Sequence, residues 1–388
     1  MGLLLARGGV PVVVMEKHAD FLRDFRGDTV HASTLRLLDE LGLGGRFDKM
    51  PHRLIESIRM QFQGVPIAIT LTKLPGRHKH IALAPQWDFL ELIATAAEAE
   101  PTFTLMRSTE VLGPVLRDGR VAGVRYLDAD GVTREMRATL TVACDGRSST
   151  LRSSMGLTPK SFGAPMDVWW FRLPRREGDL SGLNGVFRSG HACIVIDRGD
   201  YYQIAYVIPK GADSAMRAEG VEALRRQVVQ LVPWLSDRVD SIVSLDEVKL
   251  LDVQLDRLHR WYTDGLLLIG DAAHAMSPVG GVGINLAVAD AVAAATKLAM
   301  PLRDGHVSRS QLARVQARRW LPTALIQSVQ RLIHSRLIAS AISDNSDGPL
   351  NPPLPVRMIN KFPALRAVAG YAIAIGPFPE HAPAFARR

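Results

Sequence analysis

The apolar run Gly265–Ile269 (GLLLI) ends in Gly270 and Asp271, and the sequence AAHAMSPVGGVGINLAVADA follows. Pro278, Gly280, Gly281 and Gly283 forbid a regular element there, and helical sequence resumes at Ile284. A carboxylate such as Asp271 at a strand end can accept hydrogen bonds from a polyol. A glycine-rich loop leading into a helix presents free backbone N–H groups to negative charge. Backbone donors around Gly283, Ile284 and Asn285 therefore suit an electron-rich carbonyl system, by the logic of an oxyanion hole. A merely flexible loop would not explain an aspartate after an apolar strand together with an asparagine at the helix start.

Two further junctions have the same form. Val10–Met15 (VPVVVM) is a β-branched run that reads as a strand buried on both faces, and it ends in Glu16. A carboxylate there can accept both hydroxyls of an adenosine ribose, although a glutamate ending a strand is also an ordinary solvated charge. Thr139–Ala143 (TLTVA) runs into Cys144, Asp145, Gly146 and Arg147, another strand-to-turn step.

Taken together, LLLIGDAAHAMSPVGGVGINLAVADA resembles the GD motif, and TVACDGRSSTLR the DG motif, of the class A FAD-dependent aromatic monooxygenases of the para-hydroxybenzoate hydroxylase type, in that family's order. The resemblance runs from Met1 to about Ile342. It implies that Gly270 and Asp271 hold the flavin ribityl chain, while Pro278, Gly280, Gly281, Gly283, Ile284 and Asn285 line the flavin ring and stabilise its charge. Asp145, Gly146 and Arg147 would lie near the pyrophosphate and the nicotinamide donor, with Glu16 at the ribose. Arg26, in DFRGDTVHASTLRLLDELGL, resembles the family's flavin-contacting arginine, and Gln86, in ALAPQWDFLELI, its ribityl-contacting glutamine. By residue type alone these two read equally as a solvent-facing charge and a polar helix start.

The implied cofactor is FAD, with NADH or NADPH as co-substrate. The implied reaction is hydroxylation of a small phenolic or polyketide-like aromatic molecule by O2 through a C4a-hydroperoxyflavin. Reductases and halogenases of the same fold share both motifs, but the WxWxIP signature of halogenases is absent and VWWFRLP does not match it. The sequence departs from the family at its start, where only Met1–Ala6 precedes the turn toward Glu16 and no GxGxxG is found. Roughly fifteen residues of the usual βαβ unit are wanting by that spacing. The expectation is a late start site or truncated chain with a weakened sheet and a poor hold on flavin; a flavin-free remnant is the alternative.

The elements that must position these residues follow from periodicity. Met1–Arg7 reads as the end of a helix stopped by Gly8 and Gly9, and Ser33–Leu43 as an amphipathic helix capped by Ser33 or Thr34. Gln86–Ala99 is a further helix, and residues 102–140 form a meander with turns at Asp118 and Asp130. DVWWFRLP, ACIVIDRG and YYQIAYVIP make an antiparallel sheet, from which Trp169, Trp170, Tyr202 and Tyr206 are the aromatic candidates for substrate contact, alternation turning about half of them away. Ile284–Met300 is an Ala-rich helix, and Ser310–Ile342 a long one that Pro322 should kink or divide.

The fold class is thus α/β: a discontinuous, Rossmann-like FAD-binding domain (residues 1–70 and 81–160), an antiparallel-sheet substrate domain (71–80 and 161–255), the GD motif with C-terminal helices (256–343), and a linker and tail (344–388). The net charge of +8 is scattered, with no basic run interleaved with aromatics, which argues against nucleic acid and for an anionic cofactor. Cys144 and Cys193 belong to no ligand cluster, and His78 and His80 have no partner at metal spacing. DGRSS, with Ser148 and Ser149, lacks a hydrolase elbow, and His274 reads as a structural loop histidine. Apolar runs fall short of about 20 residues, so no transmembrane segment and a cytoplasmic location are expected.

Overall fold

In the computed structural model, which describes residues 1–22, 29–62, 65–188, 190–339, 358 and 361–388, the short N-terminal apolar segment is helix α1 (Gly2–Arg7), closed at Gly8. Strand β1 (Val12–Met15) follows and pairs in parallel with β7 (Phe103–Met106), Val12 opposite Phe103. The expectation of burial on both faces fails, since Val13 is 42% exposed. The reason is local: among the described residues β1 has only β7 as neighbour, so it forms half of a two-stranded ribbon rather than an interior strand. A second parallel ribbon joins β11 (Thr141–Ala143) to β17 (Leu266–Leu268), and the two ribbons share no strand pairing.

Helices tie the ribbons together. Helix α2 (Ala32–Glu40) begins two residues earlier than a Ser33 cap would place it. Its N-cap is His31, and the hydroxyl of Thr34 is engaged elsewhere. Leu3, Leu4 and Leu5 of α1 share one core with Leu35 and Leu38 of α2, with Phe89 and Leu92 of α3 (Gln86–Glu98), and with Val292, Ala295 and Ala299 of α6 (Gly283–Arg303). The other side of α6, through Ala294 and Leu298, packs on Leu267 and Ile269 in a second core. Being apolar on both sides makes α6 long and hydrophobic enough to pass for a membrane span, contrary to the sequence expectation. A helix hydrophobic all round is equally what an interior position demands.

Helix α7 (Arg309–Ile333) runs through Pro322 without division and continues as a π-helical turn, His334–Ile338. The proline forfeits one backbone donor but not the helix. The meander is present as β8 (Glu110–Arg117), β9 (Arg120–Leu127) and β10 (Thr133–Arg137), all antiparallel. The tail, expected to hold only apolar patches, contains helix α8 (Pro363–Ala374).

The roof is a seven-stranded sheet in the order β16 (Lys249–Leu251), β12 (Met166–Pro174), β15 (Tyr201–Pro209), β14 (His191–Asp197), β13 (Leu183–Arg188), β4 (Ser57–Phe62), β5 (Val65–Thr70). The domain boundary at residue 70 does not follow the sheet, because the β4–β5 hairpin joins the roof through a parallel pairing of Ile58 with Leu183. One face is sealed by α5 (Val221–Leu231): Trp169, Phe171, Tyr202, Ile204 and Tyr206 pack on Leu224, Val228 and Leu231. The opposite face carries Met60, Phe62, Val168, Trp170, Phe187, Ala205 and Val207.

Asp167, 3% exposed, ties together the ends of three roof strands. Its carboxylate accepts from Val253 N (2.9 Å), Gly211 N (3.0 Å) and Lys210 Nζ (2.8 Å). Asp167→Ala leaves the buried Val253 N–H unpaired and frees Lys210 and Gly211, and a loss of about 2 kcal/mol is expected. Urea unfolding followed by tryptophan fluorescence would report it; an unmoved midpoint would show that the roof is held by other contacts.

Candidate functional site

The GD turn starts where β17 ends. Gly270 has φ +59°, and a Cβ there would lie 3.1 Å from that of Ala287, so the turn needs glycine for both conformation and space. Its N–H donates to Asp290 Oδ2 (3.1 Å) and its carbonyl accepts from His274 N (2.9 Å), fixing the turn that carries half-buried Asp271. His274, 1% exposed, directs Nε2 to Asp290 Oδ2 (2.6 Å) and packs its ring against Trp261. It is a structural histidine.

The loop beyond is held from behind by α7. Gln330 Nε2 donates to Ser277 O (3.0 Å) and Val279 O (2.9 Å), His334 Nε2 lies 2.8 Å from Ser277 Oγ, and Gln327 Nε2 donates to Ala275 O (3.2 Å) and Asp256 O (2.7 Å). With Arg319 and Thr323 these residues form a polar stripe, each at most 4% exposed, on the inner side of a helix that otherwise buries apolar groups. Sequence reasoning missed it, although polar residues at 319, 323, 327, 330 and 334 recur with helical spacing.

Asn285 is committed within the protein. Oδ1 accepts from His31 N (2.9 Å) and Thr34 Oγ1 (2.7 Å), and Nδ2 donates to Thr29 O (3.1 Å) and Gly281 O (3.2 Å). Two donors and two acceptors are the full capacity of an amide. The side chain therefore pins the loop to β2 (Thr29–Val30) and α2, and any stabilisation of a ligand's charge falls to backbone groups. Those exist: the first helical bond is Leu286 N to Val282 O (3.0 Å), leaving the N–H groups of Gly283, Ile284 and Asn285 ahead of it, with no side-chain cap and no acidic residue in the first turn. Gly281, φ +61°, presses on Thr29, where a Cβ would come within 2.4 Å of Oγ1.

The DG turn leaves β11, the strand paired with β17 in the same ribbon. Asp145 Oδ2 accepts from Leu151 N (3.3 Å), and Ser149 caps the short helix α4 (Thr150–Ser154). Arg147 donates to Asp252 O (2.8 Å), tying this turn to the roof rather than pointing free toward a pyrophosphate. Arg152, also missed, joins the two motifs, its guanidinium donating to Ala272 O (3.1 Å) and to Arg147 O. Glu16 accepts from His18 N (3.0 Å) at the end of β1. Gln86, at the start of α3, has a buried Oε1 with no partner. Arg26 lies outside the described residues.

Of the four aromatic candidates, only Trp170 lies on the roof face opposite α5. Trp169 Nε1 donates to Asp213 (2.6 Å), Tyr202 OH to Leu180 O (2.7 Å), and Tyr206 OH to Gln227 (3.2 Å), all on the α5 side. Strand alternation puts them there. Beside Trp170 stand Met60 and the stacked rings of Phe62 and Phe187, centroids 4.6 Å apart. Nothing at the sequence level marked the hairpin that supplies Met60 and Phe62 as roof. Val279, from the glycine-rich loop, packs into this same apolar cluster, so loop and roof face are neighbours.

An orphaned acceptor at Gln86, unclaimed helix N–H groups at α6 and a carboxylate turn at Asp271 fit the ring and ribityl end of a flavin. A family model described as the FAD binding domain matches residues 1–327. The chain belongs to this family, and it is an oxidoreductase of the FAD-dependent monooxygenase class. Among its relatives is 6-methylpretetramide 4-monooxygenase of Streptomyces rimosus, 31% identical over 379 residues, which covers 95% of this chain and 87% of that protein. Anhydrotetracycline monooxygenase of the same species is 27% identical over 331 residues, with 76% and 60% covered. By fold, the chain is similar to pqsL, a probable FAD-dependent monooxygenase from Pseudomonas aeruginosa (TM-score 0.75, 21% identity, 87% and 92% covered). OxyS anhydrotetracycline hydroxylase from Streptomyces rimosus matches with TM-score 0.73 and 21% identity, over 96% and 72% of the two chains.

The site also titrates through its supports. Burial holds the His31 imidazole down to about 4. The fold thus takes it neutral, whereas the unfolded chain protonates it near pH 6.5. Stability from this group is complete above pH 6.5 and is lost as pH falls toward 4, by about 3 kcal/mol in all. His31→Gln should flatten that part of a stability-versus-pH curve; an unchanged slope between pH 6.5 and 4 would assign it to other groups.

Proposed function

We propose that this chain hydroxylates a multi-ring aromatic, polyketide-like substrate in the cleft between the glycine-rich loop and the free roof face. The observation that carries the reading is that Val279 of the glycine-rich loop belongs to the same apolar cluster as Met60, Phe62, Trp170 and Phe187 of the roof, which supports an aromatic site between them. The 6-methylpretetramide named for the relative at 31% identity, and the anhydrotetracycline named for the one at 27%, support a polyketide-like aromatic substrate.

Each group then has a role set by its geometry. Asp271 holds ribityl hydroxyls, and Gln86 Oε1 accepts from one of them. The backbone N–H groups of Gly283, Ile284 and Asn285 face the electron-rich edge of the ring, where oriented donors in a dry site act most strongly. Trp170, Phe62 and Phe187 stack against the substrate and exclude water. FAD, reduced by NADH or NADPH, supplies the oxygen-activating chemistry. Asp145, Gly146 and Arg152 hold the DG turn beside it. We place the protein in the cytoplasm, where the reduced nicotinamides are available.

Asp271→Ala should weaken FAD binding by roughly ten- to a hundredfold, since a buried hydroxyl loses a charged acceptor at about 1.5 to 3 kcal/mol. Flavin fluorescence titration measures it, and equal affinity in both proteins would show that the turn does not hold the ribityl chain. The flavin-loaded enzyme should also oxidise NAD(P)H faster when a suitable aromatic polyketide is present, and mass spectrometry should find one oxygen atom from isotopically labelled O2 in the product. A product that is reduced and carries no label would make it a reductase of the same fold.

A further inference from the structure

We propose that Asp290 is a positioning residue for the GD turn, and that Glu380, in the C-terminal segment, adjusts that turn through Arg319. Asp290 sits in the middle of α6 with no solvent exposure. Its two oxygens receive three donors from two parts of the chain, the GD turn and α7: Gly270 N–H (3.1 Å) and His274 Nε2 (2.6 Å) on Oδ2, and Arg319 Nε (2.9 Å) on Oδ1. The Gly270 bond is the important one. Gly270 is held at φ +59°, and the next residue is Asp271, so the oxygen that fixes the Gly270 amide also fixes where the Asp271 side chain leaves the turn.

Arg319, 1% exposed, reaches past Asp290 to Glu380 Oε1 (3.3 Å), which Arg318 Nε also approaches (2.8 Å). The segment around Glu380 is itself anchored: Ala382 N donates to Glu40 Oε2 (2.7 Å), and Arg388 N to Glu40 O (3.2 Å). Arg319 and Glu380 line a cavity of about 50 Å³, shared with His31 and Asn285, that has room for a few waters. The guanidinium therefore stands between a fully dry carboxylate and a hydrated one, and its position along that line sets the strength of its bond to Asp290. A contact more than a hundred residues beyond the turn bears on the turn by this route.

The inference rests on the flavin reading only for what Asp271 holds, and the test separates the two. Amide hydrogen exchange over residues 266–276, resolved by mass spectrometry, reads the turn directly, while FAD fluorescence titration reads the cofactor. In Asp290→Asn, one oxygen must serve three N–H donors, so at least one faces the amide NH2. Exchange at Gly270 to His274 should quicken about tenfold, and FAD affinity should fall by a similar factor. The double variant Asp290→Asn, Arg319→Gln removes the unbalanced buried cation. It should recover the unfolding midpoint but neither the slow exchange nor the affinity. Glu380→Gln should leave the midpoint unchanged and quicken exchange about threefold. Wild-type exchange at the turn in the double variant would reduce Asp290 to a counter-charge for Arg319 and overturn the proposal, as would unchanged exchange in Glu380→Gln for the tail's part. Should Asp290→Asn not fold, those two variants decide. Normal FAD affinity alongside fast exchange would retain the positioning of the turn and discard its role toward flavin.

Discussion

A carboxylate with no access to water has to be satisfied by the protein alone, and in this chain that requirement organises the interior around Asp290. Burial by itself drives such a group toward its neutral form, yet His274 and Arg319 outweigh that and hold it below the usual carboxylate range. Meeting its needs brings together the end of a parallel strand, the middle of α6 and the inner side of α7. Once α7 is committed to that polar contact, Gln327 and Gln330 fall into register with the carbonyls of Ala275 and Ser277, and His334 with the Ser277 hydroxyl. The loop forms few hydrogen bonds of its own, such as Gly281 N to Pro278 O (3.0 Å), because its glycines and proline exclude regular structure. A polar helix face is what replaces them.

The site is accordingly a set of turns borrowed from elements that bury their own apolar sides elsewhere. Asn285 and Arg152 work alike in this respect: each joins segments distant in sequence, α6 to β2 for one and the DG turn to the GD turn for the other. Rigid support of the turns therefore comes from side chains that lie behind them.

The motifs were legible because they combine residue types that no other constraint explains: aspartate after an apolar strand, then glycines, then a helix. The parallel ribbons, α1, the meander and the alternation of the roof strands were legible for the same reason, through period and turn residues. What could not be read was assignment across distance. Residues 57–70 look like a generic hairpin, and only pairing with β13 makes Met60 and Phe62 part of the aromatic wall. Trp169 and Trp170 are adjacent in sequence and fall on opposite faces, so their period was clear and their phase was not. The stripe on α7 was spaced regularly but is polar, and a search for hydrophobic periodicity passes over it.

The roof's one parallel pairing has a temporal consequence. Strands β4 and β5 leave the ribosome long before β13, to which β4 must pair, and more than a hundred residues separate Ile58 from Leu183. Closing so long a loop is slow, and contacts of this range rank among the last to form. Until then the hairpin presents Met60 and Phe62 on an open strand edge, a surface that recruits other nascent chains as readily as its own partner. The apolar face that the finished roof encloses is therefore, during synthesis, an exposed edge until β13 arrives to cover it.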